Sequence, residues 1–142
     1  MTAGLGCASP GYPQPMTSRI IAIAVDCRDA EALARFWCEA LGYPSTRRWS
    51  DAYGREYVEA GAPGSTTLVF QPVDDRKTGK NRLHLDIAPS SGTRDEEVQR
   101  LLALGARRLG DDPKVPWVVL ADPEDNEFCV LPQRGSSDGT TA

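Results

Sequence analysis

The sequence predicts an α+β domain of two tandem βαβββ units whose sheets form a cup around a cavity. Three observations lead there. The order strand, helix, three strands occurs twice: Leu41-Gly42 and Leu104-Gly105 close the two helices at an offset of 63 residues, and Ala22 and His84 stand 62 apart. An internal duplication of this kind is a strong organisational signal. The 142 residues, 40% hydrophobic and 25% charged, suit one globular domain with tails. In both repeats the apolar residues of the strands alternate, so each sheet has one face made for a covering helix and one that is polar and small.

Residues 1–17 (MTAGLGCASPGYPQPMT) are rich in Gly, Pro and Ser without apolar period and read as a disordered lead-in. Met16, just ahead of the first structured segment, is a second candidate start. The domain spans 18–132. Unit one (18–73) opens with a strand over Arg19–Val25, apolar at Ile21, Ile23 and Val25. Asp29 is the expected N-cap of a helix whose stripe is Ala32, Leu33, Phe36, Trp37, Ala40 and Leu41, with Gly42 at the C′ position. Extended segments follow at 45–50, 55–60 and 66–71.

A charged connector, Asp74–Lys80, leads to unit two (81–132). Its first strand, Arg82–Ile87, is apolar at Leu83, Leu85 and Ile87. Thr93 and Glu96 form a capping box ahead of Val98, Leu101 and Leu102. Strands follow near 106–109, 116–121 and 127–131, with a turn at Asp122-Pro-Glu-Asp-Asn126 in which Asp125 is expected to take a left-handed conformation. Residues 133–142 read as a flexible polar tail.

Alternation then assigns the faces. The covered set is Ile21, Ile23, Val25, Leu68 and Phe70 in unit one, and Leu83, Leu85, Ile87, Phe128 and Val130 in unit two. The open set is Ala22, Ala24, Asp26, Val69 and Gln71, then Arg82, His84, Asp86, Glu127, Cys129 and Leu131. Trp117 joins the open set if the turn pairs Val119 with Cys129; another register turns it away.

Composition excludes several functions. With 16 basic and 20 acidic residues the net charge is −4, against a binder of nucleic-acid backbones. No apolar run approaches the roughly 18 residues of a membrane helix, so no membrane partner is expected. The N-terminus lacks the blocks of a signal peptide. The four cysteines form no CxxC pair, which fits reduced thiols in the cytoplasm. One histidine, His84, excludes a site built from several.

The stretches Asp29-Ala-Glu-Ala-Leu-Ala-Arg-Phe-Trp-Cys-Glu-Ala-Leu-Gly42, Lys80-Asn-Arg-Leu-His-Leu-Asp86 and Asp122-Pro-Glu-Asp-Asn-Glu-Phe-Cys-Val-Leu131 resemble the glyoxalase-like branch of the vicinal oxygen chelate superfamily. That superfamily includes glyoxalase I, extradiol dioxygenases, fosfomycin-modifying enzymes and bleomycin-sequestering proteins. The resemblance covers most of residues 19–132 and implies a homodimer. It also implies one metal ligand on the first and last strand of each unit, usually His, Gln or Glu, holding a divalent ion as Lewis acid. The matching positions are Ala22, Val69, His84 and Cys129, with Gln71 one rung beyond Val69. Ala22 and Val69 cannot ligate. His84 and Cys129 are weak metal candidates, short of the three protein ligands usual in a catalytic zinc site.

Two functions follow. The first is a metal-independent binding protein holding a small organic ligand against Gln71, Arg82, His84, Asp86, Trp117 and Cys129, with no cofactor expected. The second is a lyase, isomerase or dioxygenase of the glyoxalase type acting on a small oxygenated metabolite, with a divalent metal and with His84 and Asp86 as catalytic candidates. Lys77, Lys80 and Arg82 are read as a solvated connector.

Overall fold

The computed structural model describes residues 11, 13 and 15–133, and the lead-in and tail expected at the two ends fall mostly outside them. Unit one runs β1 (Ile23–Cys27), α1 (Ala30–Leu41), β2 (Ser45–Ser50), β3 (Glu56–Gly61) and β4 (Leu68–Pro72). Unit two repeats the order as β5 (Asp86–Ile87), α2 (Arg94–Leu104), β6 (Arg107–Gly110), β7 (Val118–Ala121) and β8 (Glu127–Val130). Each unit forms a four-stranded mixed sheet, β1-β4-β3-β2 and β5-β8-β7-β6. β1 pairs parallel with β4, and β5 with β8; the remaining pairs are antiparallel.

Local chemistry sets the helix ends. Asp29 Oδ1 accepts from the Ala32 N–H at 3.0 Å, and Gly42 takes φ 66°, the left-handed region that favours glycine. Thr93 and Glu96 exchange both bonds of the capping box. Asp125 sits at φ 68°, as its place in the turn predicts, and its carboxylate pairs with Arg107 at 2.6 Å.

Two face assignments are corrected. β1 starts at Ile23, and Ile21 is 76% exposed rather than covered. The ladder of β5 is only Asp86–Ile87, and Leu83 is 87% exposed. These two positions are equivalent in the duplication. Each precedes the point where its strand meets its parallel partner, so no helix reaches it. The other assigned residues hold: Leu68, Phe70, Phe128 and Val130 are buried, and Ile23, Val25, Leu85 and Ile87 pack against the core.

One core serves both units. Trp37 of α1 packs edge-on against Phe36 (5.2 Å) and against Phe128 of β8 (5.0 Å). Its indole N–H donates to Asp122 Oδ2 at 3.0 Å. Asp122, 3% exposed, is the buried charged residue of the described chain. The N–H groups of Glu124 and Asn126 and the Asn126 amide also donate to it. Burial still raises its carboxyl above the ordinary value, against these donors. Beside it, Glu124 accepts from the backbone N–H of Arg28 (2.6 Å) and of Asp29 (2.9 Å), so unit two caps the helix start of unit one. At the other end of α1, Arg100 of α2 donates to the carbonyls of Glu39 (3.2 Å) and Ala40 (2.8 Å).

Trp37→Phe keeps an apolar ring in the core and removes one donor from a buried acid. It should cost about 1–3 kcal/mol in urea denaturation. A loss below about 0.5 kcal/mol, the range of ordinary surface changes, would show that the bond contributes nothing.

Candidate functional site

β1 and β5 are edge strands, and a cleft of about 1160 Å³ opens between them. Ile23 and Val25 line it from one face of β1, Ala24 and Asp26 from the other, so the cleft follows the strand's edge. Leu33, Trp37 and Phe128 add apolar wall; Leu83, His84 and Leu85 line the unit-two side. Cys27 also lines it, but burial, followed by Glu124 and other acids, pushes its thiol up to about 12. It is no nucleophile at neutral pH.

The connector is exposed along its length, as the sequence reading has it, and is tied down at Lys77. Its ammonium pairs with Glu127 Oε1 at 2.9 Å, with both side chains mostly buried. The Asn81 N–H donates to Glu127 Oε2 at 3.0 Å, and the Asn81 amide to Asn126 Oδ1 at 3.0 Å. Burial alone would raise Glu127; the Asn81 N–H and the Lys77 ammonium overcome it and bring the carboxyl down to about 2. Lys80 and Arg82 remain exposed.

The clamp leads the chain into the unit-two group. His84 Nδ1 and Asp86 Oδ1 are 3.0 Å apart, and both side chains are about half exposed. Asp86 is the parallel register partner of Cys129. Ligand atoms of His84, Asp86 and Cys129 all lie within 4.8 Å of one another. Burial first, then the adjacent Asp86, raises the Cys129 thiol, so it is neutral at neutral pH. β7 pairs Val119 with Cys129, the register that turns Trp117 onto the open face, where it is 41% exposed. Gln71 stands apart from this group, on β4 beside Asp26 of β1. The structure thus brings His84, Asp86 and Cys129 together, places Arg82 in the bend ahead of β5 and Trp117 just ahead of β7, and leaves Gln71 on the other sheet. Of the six, only His84 lines the cleft.

One feature of the open face escaped the sequence reading. Trp49 of β2 and Tyr57 of β3 are register partners and stack at 4.0 Å and 6°. Asp51 pins the pair: its Oδ2 accepts from the Tyr57 hydroxyl (3.0 Å), its Oδ1 from the N–H groups of Tyr53 (2.9 Å) and Arg55 (3.0 Å). The Arg55 N–H foremost, and then Tyr57 and Tyr53, hold its carboxyl below the ordinary value. The signal available was the Asp51–Arg55 turn, which sets the hairpin register and with it the pairing of the two rings.

The glyoxalase-like domain family matches residues 22–131. The chain belongs to that family, and with it to the vicinal oxygen chelate superfamily. No curated protein matches it by sequence. Among solved structures it is similar to a variant of the fosfomycin resistance protein FosX from Listeria monocytogenes, complexed with Mn(II) and 1S,2S-dihydroxypropylphosphonic acid. There the identity is 17% and the TM-score 0.67, over 87% of this chain and 97% of that one. It is also similar to the trypanothione-dependent glyoxalase I of Leishmania major, with 18% identity and a TM-score of 0.61 over 81% of this chain and 86% of the other. A glyoxalase/bleomycin resistance protein/dioxygenase family enzyme from Burkholderia phytofirmans shows 16% identity and a TM-score of 0.59 over 78% and 94%. These likenesses establish the tandem βαβββ fold.

The residues present fit a shared metal centre poorly. Ala22 and Val69 carry no donor atom, so unit one offers nothing at its two positions. In unit two a cation would have to displace the His84–Asp86 bond and deprotonate a thiol that burial and a carboxylate hold neutral. A hard ion of the Mn(II) kind favours oxygen ligands, and Asp86 alone supplies them.

The clamp has a pH signature. Because the Glu127 carboxyl lies at about 2 in the fold against an ordinary 4.5, its contribution is complete above pH 4.5 and is lost as pH falls toward 2. Chemical denaturation from pH 6 to pH 2 should show wild type losing stability more steeply than Glu127→Gln across that window. Parallel profiles would refute the clamp.

Proposed function

We propose that the protein is a metal-independent small-molecule binding protein that holds a small organic ligand on the open faces of its sheets and in the adjoining cleft. The observation that carries this reading is the donor-free pair Ala22 and Val69 beside a retained open face. The cleft has room for a metabolite-sized molecule, and Trp117 and the Trp49–Tyr57 pair offer ring surface. The three free cysteines of the described chain, Cys27, Cys38 and Cys129, suit a reducing cytoplasm.

A second reading has its own support. The His84–Asp86 pair at 3.0 Å is a geometry for general acid–base chemistry, as a lyase, isomerase or dioxygenase acting on a small oxygenated metabolite would need. Elemental mass spectrometry of untagged protein, before and after loading with nickel, cobalt, zinc, manganese and ferrous iron, separates the two. The expected result is no ion retained near stoichiometry. One retained ion, lost in His84→Ala, would overturn the binding-protein reading in favour of a metal-dependent enzyme.

We further propose that the working form is a homodimer. β1 and β5 leave their outer edges unpaired, and Ile20, Ile21 and Leu83 stand exposed just ahead of them. Unpaired edges flanked by apolar side chains invite a partner. Light scattering on a sizing column should give twice the chain mass, and Leu83→Lys should shift it toward the monomer. A monomeric wild type at micromolar concentration would sink the proposal.

A further inference from the structure

Each sheet has an outer edge strand, β2 in the first and β6 in the second. They offer different templates to a passing strand. β2 is six residues long, exposed throughout, and pairs with β3 without a shift from Ser45 opposite Gly61 to Ser50 opposite Glu56. Alternate backbone N–H and C=O groups of β2 therefore point away from β3 along a regular strand. Such an edge invites pairing with another chain. β6 is four residues long, and its register slips between Arg108 and Gly110, which spoils it as a template.

The side chains of β2 stand against that invitation. Arg47 and Arg48 are consecutive at the middle of the strand, so one guanidinium goes to each face. Arg48 lies on the helix side, where it partners Val58. Val58 partners Phe70, and Phe70 partners Val25, so a row of the core ends at the edge strand in a charge. The Arg48 guanidinium reaches Glu31 of α1, with Nη2 2.6 Å from Oε2. Arg47 lies on the open face and donates from Nη2 to Glu59 Oε2 at 3.0 Å. Glu31 and Glu59 fix the two guanidinium groups over the strand, while their own charges lie behind it, on α1 and β3. Both arginine side chains are more than half exposed, so their remaining N–H groups keep their water. The helix side of β2 is otherwise Thr46 and Ser50, both polar.

Laid antiparallel on β2, the β2 strand of a second copy sets arginine opposite arginine in every central register. Arg47 meets Arg48 when pairing is centred between them, and each meets its own copy in the registers one step away. Like charges directly opposite destabilise a ladder, and water on the guanidinium groups is displaced without replacement. We propose that Arg47 and Arg48 close the β2 edge to a second copy of this chain. A molecule left with one usable flank can close a dimer; one with a further usable edge can add copies without end. The inference is independent of the ligand reading, and it holds whether the β1 and β5 edges form a dimer or stay bare.

The test is light scattering on a sizing column with the full chain, from micromolar to near-millimolar protein. Arg47→Thr/Arg48→Thr keeps a strand-forming sequence and removes both charges. Its mass should rise with concentration to at least about twofold above that of wild type. Arg47→Lys/Arg48→Lys should stay at the wild-type mass. Glu31→Gln/Glu59→Gln breaks the same two ion pairs but leaves both arginines, and it should stay at the wild-type mass too. Far-UV circular dichroism and urea denaturation show each variant folded and compare the stability losses. If Arg47→Thr/Arg48→Thr does not fold, Arg47→Thr alone, on the open face, carries the test. A folded Arg47→Thr/Arg48→Thr that keeps the wild-type mass at every concentration overturns the proposal. So does equal growth of Glu31→Gln/Glu59→Gln, because the lost ion pairs and not the arginine charges are then the cause. A monomeric wild type sinks the dimer through β1 and β5 and leaves this inference standing, since every mass is read against wild type.

Discussion

The joint between the two units depends on a single buried acid. Asp122 has lost nearly all contact with water, and a carboxylate in that position is unfavourable unless donors surround it. They come from both units: the indole of Trp37 from α1, and the N–H groups and amide of the 122–126 turn. The turn folds around the acid, and the acid holds the helix. Trp37 in turn fixes Phe128, the side chain through which β8 joins the common core. Relative placement of the sheets, and hence the width of the cleft between β1 and β5, follows from this joint.

The duplication makes the divergence of the halves readable. Equivalent positions have kept their structural roles and parted in chemistry. Both helices end on glycine, both sheets bury the same alternate positions, and Ile21 and Leu83 are exposed for the same reason. On the open faces the first unit presents Ala24, Val69 and an aromatic pair, while the second presents imidazole, carboxylate and thiol. Of the four matching positions Ala22, Val69, His84 and Cys129, only the two in the second half carry donor atoms.

Most of the architecture was legible because it is periodic. Alternation marked Leu68, Phe70, Phe128 and Val130, and the caps Asp29, Thr93 and Gly42 marked the helices. Alternation says which face a residue takes but not where pairing begins, so Ile21 and Leu83 were misassigned. The site was less legible because it depends on register. Val119 opposite Cys129 decides the face of Trp117, and Trp49 opposite Tyr57 makes a stack that neither residue announces alone. The tie at Lys77 was not legible because its partner, Glu127, is 50 residues away.

Glu124 closes the start of α1 from nearly a hundred residues downstream. A ribosome releases this chain from its N-terminus, so the first helix emerges long before the acid that completes it. Until then its leading N–H groups have only Asp29 and water, and Trp37 has no buried acid to meet. The first half of the protein is synthesised with an unfinished end, and it acquires its native form only when the second half is nearly out. At this joint the two repeats complete one another: the start of the first helix is finished by the last turn of the second unit.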